Sequence, residues 1–129
     1  MDMKMMMADS PMMAGMDMTA MQNLVEASAA CEQACVMCSG SAMEMDDCAA
    51  MCMNMAEMAD TCMRMMMRPA GYDMEVMSAM MTACVTMARA CAAECRMHAD
   101  MHDHCRYCAM ACDEMVAKCE AMMASMPMA

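Results

Sequence analysis

Sulfur dominates the apolar side chains of this 129-residue chain, which contains 34 methionines and 13 cysteines. Apart from these residues and alanine, its apolar side chains come from five valines, one leucine and two tyrosines. So few branched aliphatic residues cannot pack a core of ordinary size. We therefore expect sulfur to fill the interior, and we do not expect a conventional enzyme with a packed aliphatic core.

The long segments of the chain are rich in alanine, methionine and glutamate, which favour helices. Residues that favour strands are scarce. Turn-forming residues predict breaks at Gly15, at 39–41 and at 68–71, and a polar stretch predicts a further break near Asp100. The resulting helices span roughly residues 20–38, 42–67, 73–98 and 101–124.

Two capping boxes support the predicted helix starts, one pairing Thr19 with Gln22 and the other pairing Ser41 with Glu44. Short connections place successive helices side by side and antiparallel. The predicted fold is all-α, an antiparallel up-down-up-down four-helix bundle with a Met-rich N-terminal extension. The predicted division is an extension at 1–18, either flexible or a short helix, the four-helix bundle at 19–125, and a C-terminal tail at 126–129.

The cysteines lie on one stripe of each predicted helix. At about 100° per residue, the cysteines of any one helix fall within about 80° of its circumference. Inward-facing stripes on four helices would line the bundle axis with thiols. The predicted metal ligands are all thirteen: Cys31, Cys35, Cys38, Cys48, Cys52, Cys62, Cys84, Cys91, Cys95, Cys105, Cys108, Cys112 and Cys119.

Three other interpretations of the cysteines stay open. The first is plain core packing, since cysteine is a common buried residue, although packing alone does not explain why all thirteen lie on one stripe of their helices. A disulfide framework would need bridges between helices, because cysteines four apart on a helix point the same way, and thirteen is an odd number. Structural zinc sites usually pair short Cys-x-x-Cys elements held in turns, whereas these spacings are helical.

A row of thiolates suits Cu(I) best. Cu(I) is soft, binds thiolate and thioether sulfur, and accepts two or three ligands. If each sulfur bridges two ions and each ion takes two sulfurs, about one ion binds per thiolate. The filled core is then neutral, which avoids the cost of unpaired buried charge. The predicted cargo is roughly a dozen Cu(I) ions per chain.

One stretch resembles the copper storage protein family, whose members are cysteine-rich four-helix bundles that hold many Cu(I) ions. The stretch reads Cys91-x3-Cys95-x2-His98-x3-His102-x2-Cys105-x2-Cys108-x3-Cys112. The resemblance extends over about residues 19–125, and it implies storage, not catalysis, together with assembly into homo-oligomers. It also implies that His98 and His102 take part in copper uptake at one mouth of the bundle. His104, beside Asp103, is interpreted as a surface residue. The high methionine content departs from the family pattern.

Most of the methionines are interpreted as core filler. Six continue or flank the cysteine stripes and are predicted as additional sulfur ligands: Met55, Met66, Met77, Met80, Met81 and Met123. In an antiparallel bundle these methionines gather at the end away from the histidines. We therefore expect a graded core, rich in thiolates near the histidines and rich in thioethers at the opposite end.

The methionine run from Met1 to Met18 has no matching stripe. It resembles Met-rich motifs of copper-handling proteins that work outside the cytoplasm. A thioether needs no deprotonation and cannot form a disulfide, so it binds Cu(I) in acidic or oxidising surroundings. An exported or periplasmic location is therefore favoured over the cytosol, although thirteen reduced thiols would fit a reducing cytosol.

The formal net charge of −11 favours cations as partners and argues against nucleic acid. No stretch of about 18 uncharged apolar residues occurs, so no membrane span is expected. Two other functions stay open beside storage. One is a chaperone or buffer that delivers Cu(I) to a copper-accepting protein, and the other is a metal-free redox scavenger that uses thiols and thioethers.

Overall fold

The computed structural model describes residues 2–9, 15–42, 46–68 and 73–126. Within these ranges the regular structure is entirely helical. One short helix precedes four long ones: α1 (Met3–Ala8), α2 (Met18–Ser41), α3 (Asp46–Met66), α4 (Met74–Arg96) and α5 (Asp103–Ser125). The all-helical prediction is confirmed for the described part of the chain.

Aspartates cap two of the long helices. The carboxylate of Asp17 accepts from the backbone N–H of Ala20 at 2.9 Å, and that of Asp73 accepts from Val76 at 3.0 Å. Such a bond satisfies a backbone donor that the first turn of a helix leaves unpaired. The predicted cap at Thr19 is therefore wrong, because Asp17 takes that role and α2 begins at Met18.

Helix α2 continues through the predicted break at 39–41 and ends at Ser41. A single glycine inside a helix costs only about 1 kcal/mol, and the burial of Cys38 and Ala42 on either side of Gly40 offsets that cost. Ser41 thus belongs to the end of α2 and does not cap the next helix. Its predicted partner Glu44 lies outside the described residues.

The connection between α4 and α5 lies at the predicted polar stretch. Helix α4 ends at Arg96, and backbone hydrogen bonds such as that from Met101 N–H to the His98 carbonyl carry the chain through a turn. Helix α5 begins at Asp103, with His102 as its N-terminal flanking residue. The chain therefore reverses without glycine or proline.

The long helices form a bundle in which α2 packs on α3 and α5, and α4 packs on α3 and α5. The α2–α5 pair is antiparallel, since the sulfur of Cys31 meets that of Cys112 while the sulfur of Cys38 meets that of Cys105. Two ion pairs show that α4 and α5 are also antiparallel: Arg89 pairs with Glu120 at 3.1 Å, and Arg96 pairs with Asp113.

The core of the bundle is built from sulfur and alanine. All thirteen cysteines are fully buried, and among aliphatic residues Leu24 is fully buried and Val85 nearly so. Seven methionines are at most 1% exposed: Met21, Met55, Met66, Met77, Met81, Met115 and Met122. The interior is thus a column of thiols and thioethers.

Helix α1 is mostly exposed, whereas helix α4 is unusually apolar. Helix α1 contacts α2 and contains no buried residue. Helix α4 is long and apolar enough to cross a membrane by length and composition, although it contains charged residues. Core helices meet the same criterion, and α4 buries Met77, Cys84 and Cys91 against its neighbours in the bundle.

Candidate metal centre

Three groups of cysteines have their sulfurs within 4.8 Å of one another and could each hold a metal ion. We call them the mouth group, near the ends of helices, and the first and second core groups, deeper in the bundle. Their members are Cys38, Cys48 and Cys105 for the mouth group; Cys38, Cys52, Cys95 and Cys108 for the first core group; and Cys35, Cys91, Cys108 and Cys112 for the second core group.

Helical spacing brings these sulfurs together. Cysteines three, four or seven positions apart share one helix face, and the antiparallel pairing of helices then sets two such faces against each other. The sulfurs of Cys35 and Cys108 are 3.5 Å apart, and those of Cys52 and Cys95 are 3.7 Å apart. Two sulfurs bound to one metal ion by bonds of about 2.3 Å lie roughly 4 Å apart. The observed spacing therefore suits shared ions.

Shared cysteines join the groups into one continuous array. Cys108 belongs to both core groups, and its sulfur is 3.7 Å from that of Cys52. Cys38 belongs to the mouth group and to the first core group. Cys31 extends the array, with its sulfur 4.0 Å from that of Cys112. The array runs along α2 and α5 from the mouth to the middle of the bundle.

Cys62, Cys84 and Cys119 form a fourth set, which we call the distal group. Hydrogen bonds from Cys119 and Cys84 lower the pKa of the Cys62 thiol to about 4. The hydrogen bond between Cys119 and Cys62 raises the pKa of Cys119 to about 12. The distal group therefore holds one thiolate, stabilised by two neighbouring S–H donors at neutral pH.

Two thiols of the mouth group, Cys38 and Cys105, are harder to ionise than an ordinary thiol. Burial raises the pKa of Cys38 and raises that of Cys105 to about 11. A thiolate is the form that binds metal, so an ion that binds here displaces protons. Cys31, by contrast, lies next to the second core group. Hydrogen bonds from Cys112 and Cys35, two members of that group, lower the pKa of Cys31 to about 5.

The predicted methionine ligands all lie at or beside the core. Met55, Met66, Met77 and Met81 are fully or almost fully buried, and Met80 and Met123 are half-buried. The thiol of Cys84 donates to the sulfur of Met80 at 3.6 Å, which brings a thioether to the distal group. Thr82 donates to the sulfur of Met123 at 3.8 Å, at the rim of the core.

Sequence reasoning missed the buried thioether of Met115, which has a polar contact. The hydroxyl of the fully buried Ser28 donates to the sulfur of Met115 at 3.4 Å, and Ser28 also hydrogen-bonds Cys62. Met115 lies three residues after Cys112 and four before Cys119, on the same stripe of α5. Its helical phase relative to these cysteines could have identified Met115 from the sequence.

The two histidines predicted for copper uptake, His98 and His102, contact a carboxylate and another imidazole. His98 is half-buried, and its Nε2 lies 3.4 Å from a carboxylate oxygen of Glu94. His102 is exposed, with its ring centroid 5.3 Å from that of His104. The structure brings neither imidazole into a recorded contact with a cysteine within the described residues, so their role stays a prediction.

His104 is not the isolated surface residue that its position beside Asp103 suggested. Its Nδ1 lies 3.3 Å from the sulfur of Cys38 and 3.4 Å from that of Cys105. Helical spacing does not predict this contact, because it depends on where α5 begins and how its first turn faces α2. His104 thus adds a nitrogen donor to the mouth group.

Comparison with known proteins places these features in a family. A family model described as copper storage protein matches residues 17–124. The copper storage protein Ccsp from Streptomyces lividans, loaded with 10 copper equivalents, matches with a TM-score of 0.91 and 30% identity, covering 97% of this chain and 100% of that chain. No curated protein matches this chain.

Two further structures from Streptomyces lividans match in the same way. A Ccsp variant with one histidine replaced by alanine has a TM-score of 0.83 and 32% identity, covering 87% of this chain and 98% of that chain. A cytosolic copper storage protein with five coppers has a TM-score of 0.81 and 32% identity, covering 84% and 96%.

The expectation of an exported or periplasmic location is wrong by this comparison, because the similar Streptomyces lividans protein is cytosolic. The expectation gave the methionines too much weight. Thioethers tolerate oxidising surroundings but do not require them. All thirteen cysteines are free thiols, which a reducing compartment preserves.

The family model matches 108 of the 129 residues, and the relative loaded with copper covers nearly the whole chain. The buried cysteine array lies within the matched region. The chain belongs to the copper storage protein family.

Proposed function

We propose that this chain stores copper as many Cu(I) ions, held by cysteine thiolates inside the bundle and supplemented by methionine thioethers. One observation carries the proposal: thirteen free, fully buried cysteines, nine of which have sulfurs 3.5–4.0 Å from another cysteine sulfur. Membership of the copper storage protein family and a relative loaded with 10 copper equivalents support it.

The proposed ligands are the thirteen cysteines and the six methionines that border their stripes. Charge supports Cu(I) in such a buried array. One Cu⁺ per thiolate leaves the array neutral, whereas a column of divalent ions on the same sulfurs would leave excess charge in a low-dielectric interior. Each cysteine also gives up its proton as it binds, so loading exchanges protons for copper.

The proposed architecture is an up-down-up-down four-helix bundle spanning 19–125, with an N-terminal extension at 1–18 and a tail at 126–129. The antiparallel contacts of α2 with α5 and of α4 with α5 support it. We place copper uptake at the mouth, near His98 and His102. Assembly into a homo-oligomer and the absence of catalysis follow from the family resemblance.

The proposed compartment is a reducing cytosol. Thirteen free thiols, several with sulfurs within 4.0 Å of one another, would be prone to form disulfides in oxidising surroundings. The cytosolic location of the similar Streptomyces lividans protein supports the same compartment.

An anaerobic Cu(I) titration against a strong chelator tests the proposal, with bound ions counted per chain. We expect roughly a dozen ions for the natural sequence. Cys108→Ser should lose more ions than Cys119→Ser, because Cys108 belongs to both core groups and Cys119 only to the distal group. A capacity of one or two ions, or equal capacity in all three proteins, would contradict storage in the sulfur array.

Delivery of Cu(I) to an acceptor protein is a second candidate, favoured by the exposed thioethers of Met3, Met5 and Met6 on α1. The rate of copper loss separates the two functions. Storage in a buried array predicts slow transfer to an excess of chelator, whereas a delivery protein should release its copper within seconds. Removing residues 2–9 should leave the slow phase unchanged if the array stores the copper.

A further inference from the structure

The mouth group differs from the core groups in its donor atoms. It combines the sulfurs of Cys38, Cys48 and Cys105, all within 4.8 Å of one another, with the imidazole of His104. The core groups consist of sulfur alone. The mouth group is also closer to solvent, because His104 is half-buried and α5 begins next to it at Asp103.

The distances among Cys38, Cys105 and His104 match those of a tetrahedral zinc site. Bonds of about 2.3 Å to sulfur and about 2.0 Å to nitrogen place two sulfurs about 3.8 Å apart, and sulfur and nitrogen about 3.5 Å apart. The sulfurs of Cys38 and Cys105 are 3.9 Å apart, and Nδ1 of His104 lies 3.3 and 3.4 Å from them. These three donors lie at the spacing of a tetrahedral ion, and the sulfur of Cys48, within 4.8 Å of both cysteine sulfurs, can supply the fourth bond by moving toward the ion.

Charge also favours a divalent ion at the mouth over the core. Zn²⁺ with three thiolates and a neutral imidazole has a net charge of −1, whereas Zn²⁺ in a group of four thiolates has −2. Excess charge costs more where the site is farther from water. The core groups lie among fully buried side chains, while His104 is reached by solvent. Nearby carboxylates of Asp100 and Asp103 are exposed and attract cations.

We propose that, before copper is loaded, Cys38, Cys48, Cys105 and His104 form a binding site for one Zn²⁺ ion, which Cu(I) displaces as it fills the array. Binding displaces the three thiol protons to solvent, and Nδ1 of neutral His104 supplies the fourth bond, so no electron is transferred. Cys38 also belongs to the first core group, so Cu(I) that fills this group competes with zinc for one of its ligands.

The site can be tested on the copper-free protein in the absence of oxygen, with Co²⁺ as the probe for Zn²⁺. We expect one equivalent of Co²⁺ to give the intense visible bands of a tetrahedral thiolate site, and one equivalent of Zn²⁺ to abolish them. His104→Ala should shift these bands and weaken binding at least tenfold. The control is Met110→Ala, which removes an exposed side chain from the same helix and should leave both properties unchanged.

Zinc-edge X-ray absorption of the natural sequence gives a result that needs no variant. Three sulfur neighbours and one nitrogen neighbour would support the site, and four sulfur neighbours would overturn it by placing the ion in a core group. Identical cobalt spectra for the natural sequence and His104→Ala, or unchanged zinc affinity in Cys48→Ser, would also overturn it. The Cu(I) capacity of the same proteins is measured separately, so copper storage can fail or succeed independently of the zinc site.

Discussion

At the scale of single residues, the helical phase of the sequence identified every buried cysteine. A side chain on a helix has a direction that its position fixes, so thirteen residues on narrow stripes can be placed without a structure. The contact of His104 with Cys38 could not be predicted in the same way. It depends on the end of a turn, and turn geometry is not encoded by a periodic pattern.

Methionines at the distal end provide a prediction about copper capacity. Replacing Met77, Met80 and Met81 together by leucine removes three thioethers and keeps side-chain volume nearly constant, so the fold should tolerate the change. Because the sulfur of Met80 contacts Cys84, we expect a lower Cu(I) capacity or weaker binding of the last ions. An anaerobic titration measures both.

The matched control replaces methionines that are exposed: Met37, Met53 and Met110, which are 63%, 42% and 60% exposed. Their replacement by leucine should leave the titration unchanged. If the distal variant titrates like the natural sequence, the methionines are only core filler and the graded core is disproved.

The pKa values of individual thiols predict how many protons loading releases. Cys105 has a pKa of about 11, above its ordinary value, so it is protonated at pH 7 and loses a proton when Cu(I) binds. Cys62 has a pKa of about 4, below its ordinary value, so it is already a thiolate at pH 7. Binding at Cys105 therefore strengthens as pH rises, up to tenfold per pH unit, whereas binding at Cys62 gains nothing above about pH 5.

A pH indicator in weakly buffered solution measures this difference during loading at pH 7. Cys105→Ser should release about one proton fewer per chain than the natural sequence. Cys62→Ser should release the same number as the natural sequence. Equal losses in the two variants would show that the two thiols do not differ in ionisation.

At the scale of helices, composition predicted the number of long helices and their approximate extents but misjudged individual ends. The segment around Gly40 predicts a break, because glycine disfavours helices in isolation. Burial of Cys38 and Ala42 overrides that preference. Asp17, not Thr19, caps α2. Both residue types cap helices well and the two lie only two positions apart, so the sequence did not distinguish them.

The cap of α4 gives a prediction about stability. Asp73→Ala removes the acceptor for the backbone N–H of Val76, and we expect the copper-free protein to lose about 1 kcal/mol of unfolding free energy. Asp73→Asn keeps an acceptor oxygen and should cost much less. Urea unfolding followed by circular dichroism measures the difference, and an equal loss in both variants would show that charge, not the cap, matters.

At the scale of the whole molecule, the sequence identified an all-helical protein with a sulfur core, because both properties are repeated along the entire chain. The compartment could not be identified from the same residues. Thiols and thioethers bind Cu(I) wherever they are, and location depends on sorting signals and redox conditions outside the fold.

Copper should stabilise the whole bundle. Without metal, the core consists of small thiols, flexible thioethers and alanines, and few branched side chains are present to pack it. Cu(I) that binds only the folded array stabilises it by mass action. We expect the melting temperature, measured anaerobically by circular dichroism, to rise with each equivalent of Cu(I). A constant melting temperature would place the copper outside the bundle.

The most direct measurement of the central claim is anomalous diffraction at the copper edge, from crystals of the protein loaded with Cu(I) without oxygen. We predict a row of copper peaks between the cysteine sulfurs, from the mouth group through both core groups to the distal group. Copper found only on exposed methionines and carboxylates, with the space between the buried sulfurs empty, would contradict the claim.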